Sequence, residues 1–262
     1  MKHELHQLSP RHSCKFVIPI AIGIVAKNTF LSCIFAFFLS VPIFAQKVKP
    51  LNLPGYDKEK LHFGFSLAVN KSDFVLFPAT KGIKPDSVLS VESVPDWGFN
   101  LGIVSDLRLH EYVTIRFLPA LSFQGRILEY LIRPTGTVNP GSSYTQKKKV
   151  ESTLLDFPIN LKIRSERLNN MSAYLLIGGK ISIDLASQAS TKNVDIVKLN
   201  SKDFSFEAGF GLDFYLEYFK LSTEIKFSTG LTNRLFHENT TWSMPIDKLQ
   251  TKVWLFSLNF EG

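Results

Sequence analysis

Acid–base chemistry near neutral pH calls first for histidine, and beyond residue 45 the chain offers His62, His110 and His237. His62 is the best candidate for a general base, because it lies on the polar face of an alternating segment. No serine or acid is tied to it by a recognisable motif, so a lone inward histidine is read as structural. His110 sits in a tight turn and His237 in a long connection. No two His, Asp or Glu residues share a metal-ligand spacing. No glycine-rich phosphate loop is present. Gly178-Gly179 and Gly209-x-Gly211 fall inside alternating segments, where glycine marks close packing or curvature. Cys14 and Cys33 both precede residue 45, which leaves the rest of the chain without disulfide or thiolate chemistry. The reading is a non-enzyme without metal or cofactor.

The chemistry-bearing residues are instead charges of both signs on alternate positions. They are Asp106, Arg108, Arg116, Asp156, Lys162, Arg164, Lys180, Asp184, Glu207, Asp213, Glu224 and Lys226. What must position them is a set of β-strands, since side chains two apart share one face of a strand. From Phe204 to Leu216, the apolar row Phe204, Phe206, Ala208, Phe210, Leu212, Phe214 and Leu216 alternates with Ser205, Glu207, Gly209, Gly211, Asp213 and Tyr215. The same pattern recurs over roughly 61–70, 96–109, 111–124, 151–164, 172–185, 203–216, 219–231 and 250–261. Three connections are short, at 109–111, 165–170 and 217–218. Four are long, at about 71–95, 125–150, 186–202 and 232–249. Short and long alternate without exception, which predicts an all-β, eight-stranded antiparallel transmembrane β-barrel of the outer-membrane type over 61–262. Both chain ends then lie on the short-turn side, the periplasm.

Alternation alone does not say which face points outward, and a soluble barrel with the apolar face inside is the rival. Three features favour outward. The polar face carries large charges. Aromatic residues gather at strand ends as interfacial girdles: Trp97, Tyr112, Tyr174, Tyr215, Tyr218, Phe219 and Trp254. The last strand is apolar, with Phe260 near its end, like the aromatic terminus read by outer-membrane insertion machinery. Eight strands enclose a space that side chains just fill. The charged inner row is therefore expected to close it by pairing rather than to line a pore.

The N-terminus reads as a leader. Lys27, the apolar core Thr29–Leu39 and Val41-Pro42-Ile43-Phe44-Ala45 describe a secretory signal, with cleavage between Ala45 and Gln46. A second apolar patch, Phe16–Ala26, makes residues 1–45 long for this role. Either the start lies downstream, near Lys27, or the leader is extended; an anchor of two short helices is the competing reading. Residues 46–60 read as a polar periplasmic tail. Without 1–45 the chain keeps 26 basic and 22 acidic residues (30 less 4, 23 less 1), a net of +4. Lys147-Lys148-Lys149 is the only basic run, and it reads as a solvated loop end. Nucleic-acid binding, which wants a clustered basic face with stacking aromatics, is excluded. The expected surroundings are outer-membrane lipids.

Three stretches carry a family resemblance. They are GIVSDLRLHEYVTIRFLPALSFQGRILEY at 102–130, ESTLLDFPINLKIRSERLNN at 151–170 and FSFEAGFGLDFYLEYFKLSTEIKFSTGL at 204–231. With Ile246-Asp247-Lys248-Leu249 they cover most of 60–261, and the chain resembles the PorT-like proteins of Bacteroidota. The resemblance implies an outer-membrane barrel associated with type IX protein secretion and, in some relatives, gliding. It implies partners among other secretion components and assigns no catalytic residue. A small porin or ligand-binding barrel is the first alternative. An outer-membrane enzyme using His62 is the second.

Overall fold

A computed structural model describes residues 50–79, 88–133, 143–185, 197–237 and 240–262. The leader and its Ala45–Gln46 cleavage site lie outside the described residues. Nine strands run in chain order: β1 Leu61–Pro78, β2 Val88–Arg108, β3 Val113–Phe117, β4 Ala120–Ile132, β5 Tyr144–Arg164, β6 Met171–Asp184, β7 Lys202–Tyr215, β8 Lys220–Gly230 and β9 Ile246–Glu261. Each pairs antiparallel with its neighbour, and β1 pairs with both β2 and β9, which closes the sheet into a ring.

The ring has eight staves, because β3 and β4 form one stave interrupted at Leu118-Pro119. Both halves pair with β2 on one side and β5 on the other. Pro158 of β5 lies opposite the gap, and its carbonyl accepts the Leu118 amide at 3.3 Å. Two prolines at one level lack the N–H groups a ladder needs, so the ladder breaks there. The single strand read at 111–124 is corrected accordingly.

The long connections are also corrected. Most of 71–95 and 125–150 is strand: β1 continues to Pro78, β2 begins at Val88, β4 reaches Ile132 and β5 begins at Tyr144. These arms reverse the face logic of the barrel. On β9, Trp254 and Phe256 point outward beside buried Ser257, Asn259 and Glu261, whereas nearer the strand start Lys248, Gln250 and Lys252 turn outward and Leu249 is buried. On β4, the inner row changes from Ser122, Gln124 and Arg126 to Leu128, Tyr130 and Ile132. On β1, Lys71 and Asp73 interrupt the apolar outer row after Val69, before it resumes with Val75 and Phe77.

The barrel therefore has two zones. Near the short turns it is apolar outside and polar inside. At the long-connection end, Phe74, Val88, Leu128, Tyr130, Ile132, Val150, Leu235 and Leu249 build a conventional apolar core. The outer apolar rows are largely exposed, with Trp97 67 %, Ile103 62 % and Phe210 57 % accessible. A bare band of that kind is stable only against lipid.

Candidate functional site

Strand parity delivers the charged side chains to the lumen in layers. Nearest the short turns, Arg116 on β3 faces its register partner Asp106 on β2 and binds it in a two-bond fork, Nε–Oδ1 and Nη2–Oδ2 both at 2.7 Å. The same guanidinium reaches Glu261 at 2.6 Å and Glu224 at 3.2 Å. Lys220 closes on Glu261 at 2.6 Å, and Lys162 pairs with Asp213 at 2.9 Å. The Ser222 hydroxyl donates to Asp213 and Glu261. Tyr174 donates to Glu224 at 3.2 Å, and its ring lies across its cross-strand partner Gly211, where a Cβ would collide with it.

The next layer joins Asp156, Lys180, Glu207 and Lys226. Lys180 lies 3.3 Å from Asp156 and 3.6 Å from Glu207, and Lys226 bridges Glu207 at 3.2 Å to Glu224 at 3.6 Å. Asn160 and Ser182 complete the hydrogen bonding of Glu207 and Asp156. A cavity of about 20 Å³ remains among Ser66, Asn100, Lys180 and Lys226, enough for about one water. Above it, Arg234 pairs with Asp184 at 3.2 Å, Asp203 accepts from Thr232 and Thr251, and Arg126 bonds Gln124 beneath the Phe74 ring. The apolar core starts immediately beyond.

The short-turn mouth holds what sequence reasoning missed. Residues 50–60, within the stretch 46–60 read as a polar periplasmic tail, are seated on the barrel, with a short 3-10 turn at Tyr56–Lys58. Tyr56 enters the lumen and stacks on His62, the ring centroids 3.8 Å apart and nearly parallel at 9°. The Lys220 ammonium lies 4.6 Å over the same ring, and the phenol donates to Glu261 at 3.1 Å. Burial pushes the Tyr56 phenol upward, and the Glu261 carboxylate pushes the same way, so the group is a neutral donor. Asp57 meets three guanidiniums: Arg164 at 2.6 Å, Arg108 at 3.7 Å and Arg167 at 3.8 Å. Asn52 donates its side-chain amide to the Tyr215 carbonyl at 3.0 Å and accepts from Arg167 at its own carbonyl at 2.5 Å.

These placements correct several residue assignments. Arg108 and Arg164 belong to the mouth and its Asp57 partner, not to the buried layers. Tyr174 and Tyr215 are 3 % and 1 % exposed and face the lumen, so neither belongs to an interfacial girdle. Their own parity placed them there: Tyr174 alternates with Ala173 and Leu175, and Tyr215 with Phe214 and Leu216. Trp97, Tyr218 and Trp254 lie on the outside, and Tyr112 and Phe260 are half-buried. Glu261 and Lys220, central to the first layer, were legible from the same parity, since Lys220 shares a face with Glu224 and Lys226. Tyr56 and Asp57 carried no such signal.

His62 is buried, and Tyr56, not a nucleophile, stands against it. Among the described residues, no group of three or more His, Cys, Asp or Glu side chains is arranged to hold a metal ion. What the arrangement does chemically is hold charge in fixed pairs inside a closed wall.

A closed antiparallel ring with an apolar belt and a polar, ion-paired interior defines the class of membrane-spanning β-barrels. The chain belongs to the outer membrane protein beta-barrel domain family, whose pattern matches residues 44–235. It is thus a protein of the outer membrane, set in its lipids. Among solved structures it is similar to the outer membrane protein OprG of Pseudomonas aeruginosa, at 13 % identity and a TM-score of 0.41, over 77 % of this chain and 92 % of that one. It is similar to Ail, the attachment invasion locus protein of Yersinia pestis, at 12 % identity and a TM-score of 0.36, over 78 % of this chain and all of the other. It is also similar to the outer membrane protease OmpT of Escherichia coli, at 10 % identity and a TM-score of 0.38, over 82 % and 98 %. Among curated proteins, none matches it significantly.

Proposed function

We propose that this barrel is an accessory or assembly component of type IX protein secretion that acts through protein contacts at its turns and arms and conducts nothing through its lumen. The observation that carries the non-conducting reading is the layered ion pairing; among the described residues it leaves cavities of about 20 Å³ beside Lys180 and Lys226 and at the mouth. A hydrated ion needs a continuous path, and the Arg116 cluster crosses it with charges that are already paired. The secretion role rests on the resemblance to PorT-like proteins across 102–130, 151–170 and 204–231. The short turns and both ends of the barrel face the periplasm in this reading, and residues 1–45 are a leader removed before Gln46. Trp97, Tyr112, Tyr218, Trp254 and Phe260 mark the lipid boundaries.

Two measurements test it. Purified protein in a planar bilayer is expected to give no unit conductance; a steady conductance sinks the reading in favour of a small porin. Deletion of the gene in its host is expected to abolish export of proteins bearing C-terminal type IX signals. Normal export in the deletion strain removes the secretion role while leaving the closed barrel intact.

A further inference from the structure

The short-turn mouth has the form of a receptor site. It offers an aromatic slot, walled by the His62 face, the Tyr215 edge at 5.8 Å and the Lys220 ammonium. Beside the slot stand three guanidiniums, Arg108, Arg164 and Arg167. We propose that this mouth is a peptide-binding site for a segment presenting an aromatic ring followed by a carboxylate, and that the chain's own Tyr56-Asp57 occupies it in cis. The inference goes beyond the secretion reading and does not depend on it.

The geometry shows a ligand-like contact rather than a covalent continuation of the wall. Tyr56 is the buried anchor of its segment, while its neighbours Pro54, Gly55 and Glu59 are largely exposed. The guanidinium supply also exceeds what one carboxylate uses. Only Arg164 is within hydrogen-bonding distance of Asp57, and the buried Arg108 Nη1, 3.7 Å away, makes no hydrogen bond. Arg167 has its guanidinium carbon 3.8 Å from the Tyr215 ring centroid and is oriented by Asn169 and Asn170, while the seated segment adds a contact through the Asn52 carbonyl. Planar guanidiniums fixed in advance are the usual means of recognising carboxylates. Only Lys58–Lys60 separate the cis ligand from β1, so its effective concentration is on the order of millimolar. A free segment of the same chemistry is thereby kept out until the cis ligand leaves.

The test uses the purified full chain in detergent and a fluorescein-labelled peptide with the sequence of residues 50–60, read by anisotropy. The Tyr56→Ala/Asp57→Asn chain is expected to bind the peptide at least tenfold more tightly than the wild-type chain. A peptide with asparagine in place of Asp57 is expected to bind at least tenfold more weakly, as is the original peptide to a freed chain that also carries Arg164→Gln. Heat-dependent gel migration confirms that each barrel is folded, and Asp57→Asn alone replaces the double variant if that one does not fold. The proposal is overturned if the freed chain binds no better than wild type, or if the aspartate and asparagine peptides bind alike.

Discussion

Arg116 shows how much one side chain carries here. It is 1 % exposed and contacts Asp106, Glu224 and Glu261 at once. Its loss leaves Asp106 without its ion pair and takes one cationic partner each from Glu224 and Glu261, which keep Lys226 and Lys220, and uncompensated buried charge is costly. Arg116→Ala is therefore expected to lower stability by about 3–5 kcal/mol, seen as a lower urea midpoint or lower gel-shift temperature, with the lumen still closed to ions. Retained heat stability with new conductance would overturn the plug. Arg116→Lys is expected to lose part of the same stability, because an ammonium cannot form the Asp106 fork. The pair Lys147–Glu129 at the surface, 2.7 Å apart with Lys147 two-thirds exposed, is the contrast. Lys147→Ala is expected to change stability by less than about 1 kcal/mol. That Arg116 and Asp106 share the polar face of adjacent strands was legible from parity and the short connection read at 109–111; their register came from the structure. The links to Glu224 and Glu261 were not legible, because they span 108 and 145 residues of sequence.

At the scale of the strand, the face reversal is the governing feature. The two-residue period persists along β1, β4, β5 and β9, while the solvent on each side changes. Near the short turns the outer residue meets lipid and the inner one an ion-paired lumen; further along, the outer residue meets water and the inner one an apolar core. The effect of a substitution should therefore follow the zone and the face on which it falls. Leu128→Ala, in the apolar core, is expected to cost about 2–5 kcal/mol, measured by urea unfolding in lipid vesicles. Ile103→Arg, on the lipid face, is expected to cost about 2–4 kcal/mol and to block insertion in assembly assays, whereas Lys252→Arg beyond the boundary leaves both unchanged. If Ile103→Arg inserts normally and Leu128→Ala is silent, the zones are misplaced. The sequence carried this reversal in plain view at Lys252-Val253-Trp254. It is hard to read there because alternation keeps its phase and only the identity of the polar face switches.

At the scale of the whole molecule, the barrel is closed differently at its two ends. The long-connection end closes with an apolar core; the short-turn end closes with residues 50–60. Because Cys14 and Cys33 both precede residue 45, a chain starting at Gln46 allows a single reporter thiol. Ser222→Cys, at a buried lumen position beside Asp213 and Glu261, is expected to react slowly with a small thiol reagent, and at least tenfold faster when combined with Tyr56→Ala. Equal rates would mean that the segment does not seal the mouth.

The sequence by itself determined the period of two, the order of the staves, the alternation of short and long connections, and hence which residues share a face. All of these follow from local backbone geometry and nearest-neighbour pairing. It also determined the family resemblance. Only the tertiary structure decided where the arms change zone, that Tyr174 and Tyr215 complete the lumen, and that Arg108 and Arg164 turn to Asp57. The physical reason is that a partner across a barrel depends on closure, stagger and strand tilt summed over eight staves. The seat of Tyr56 depends on a ring, an ammonium and a carboxylate from β1, β8 and β9, which adjoin one another only because the ring closes.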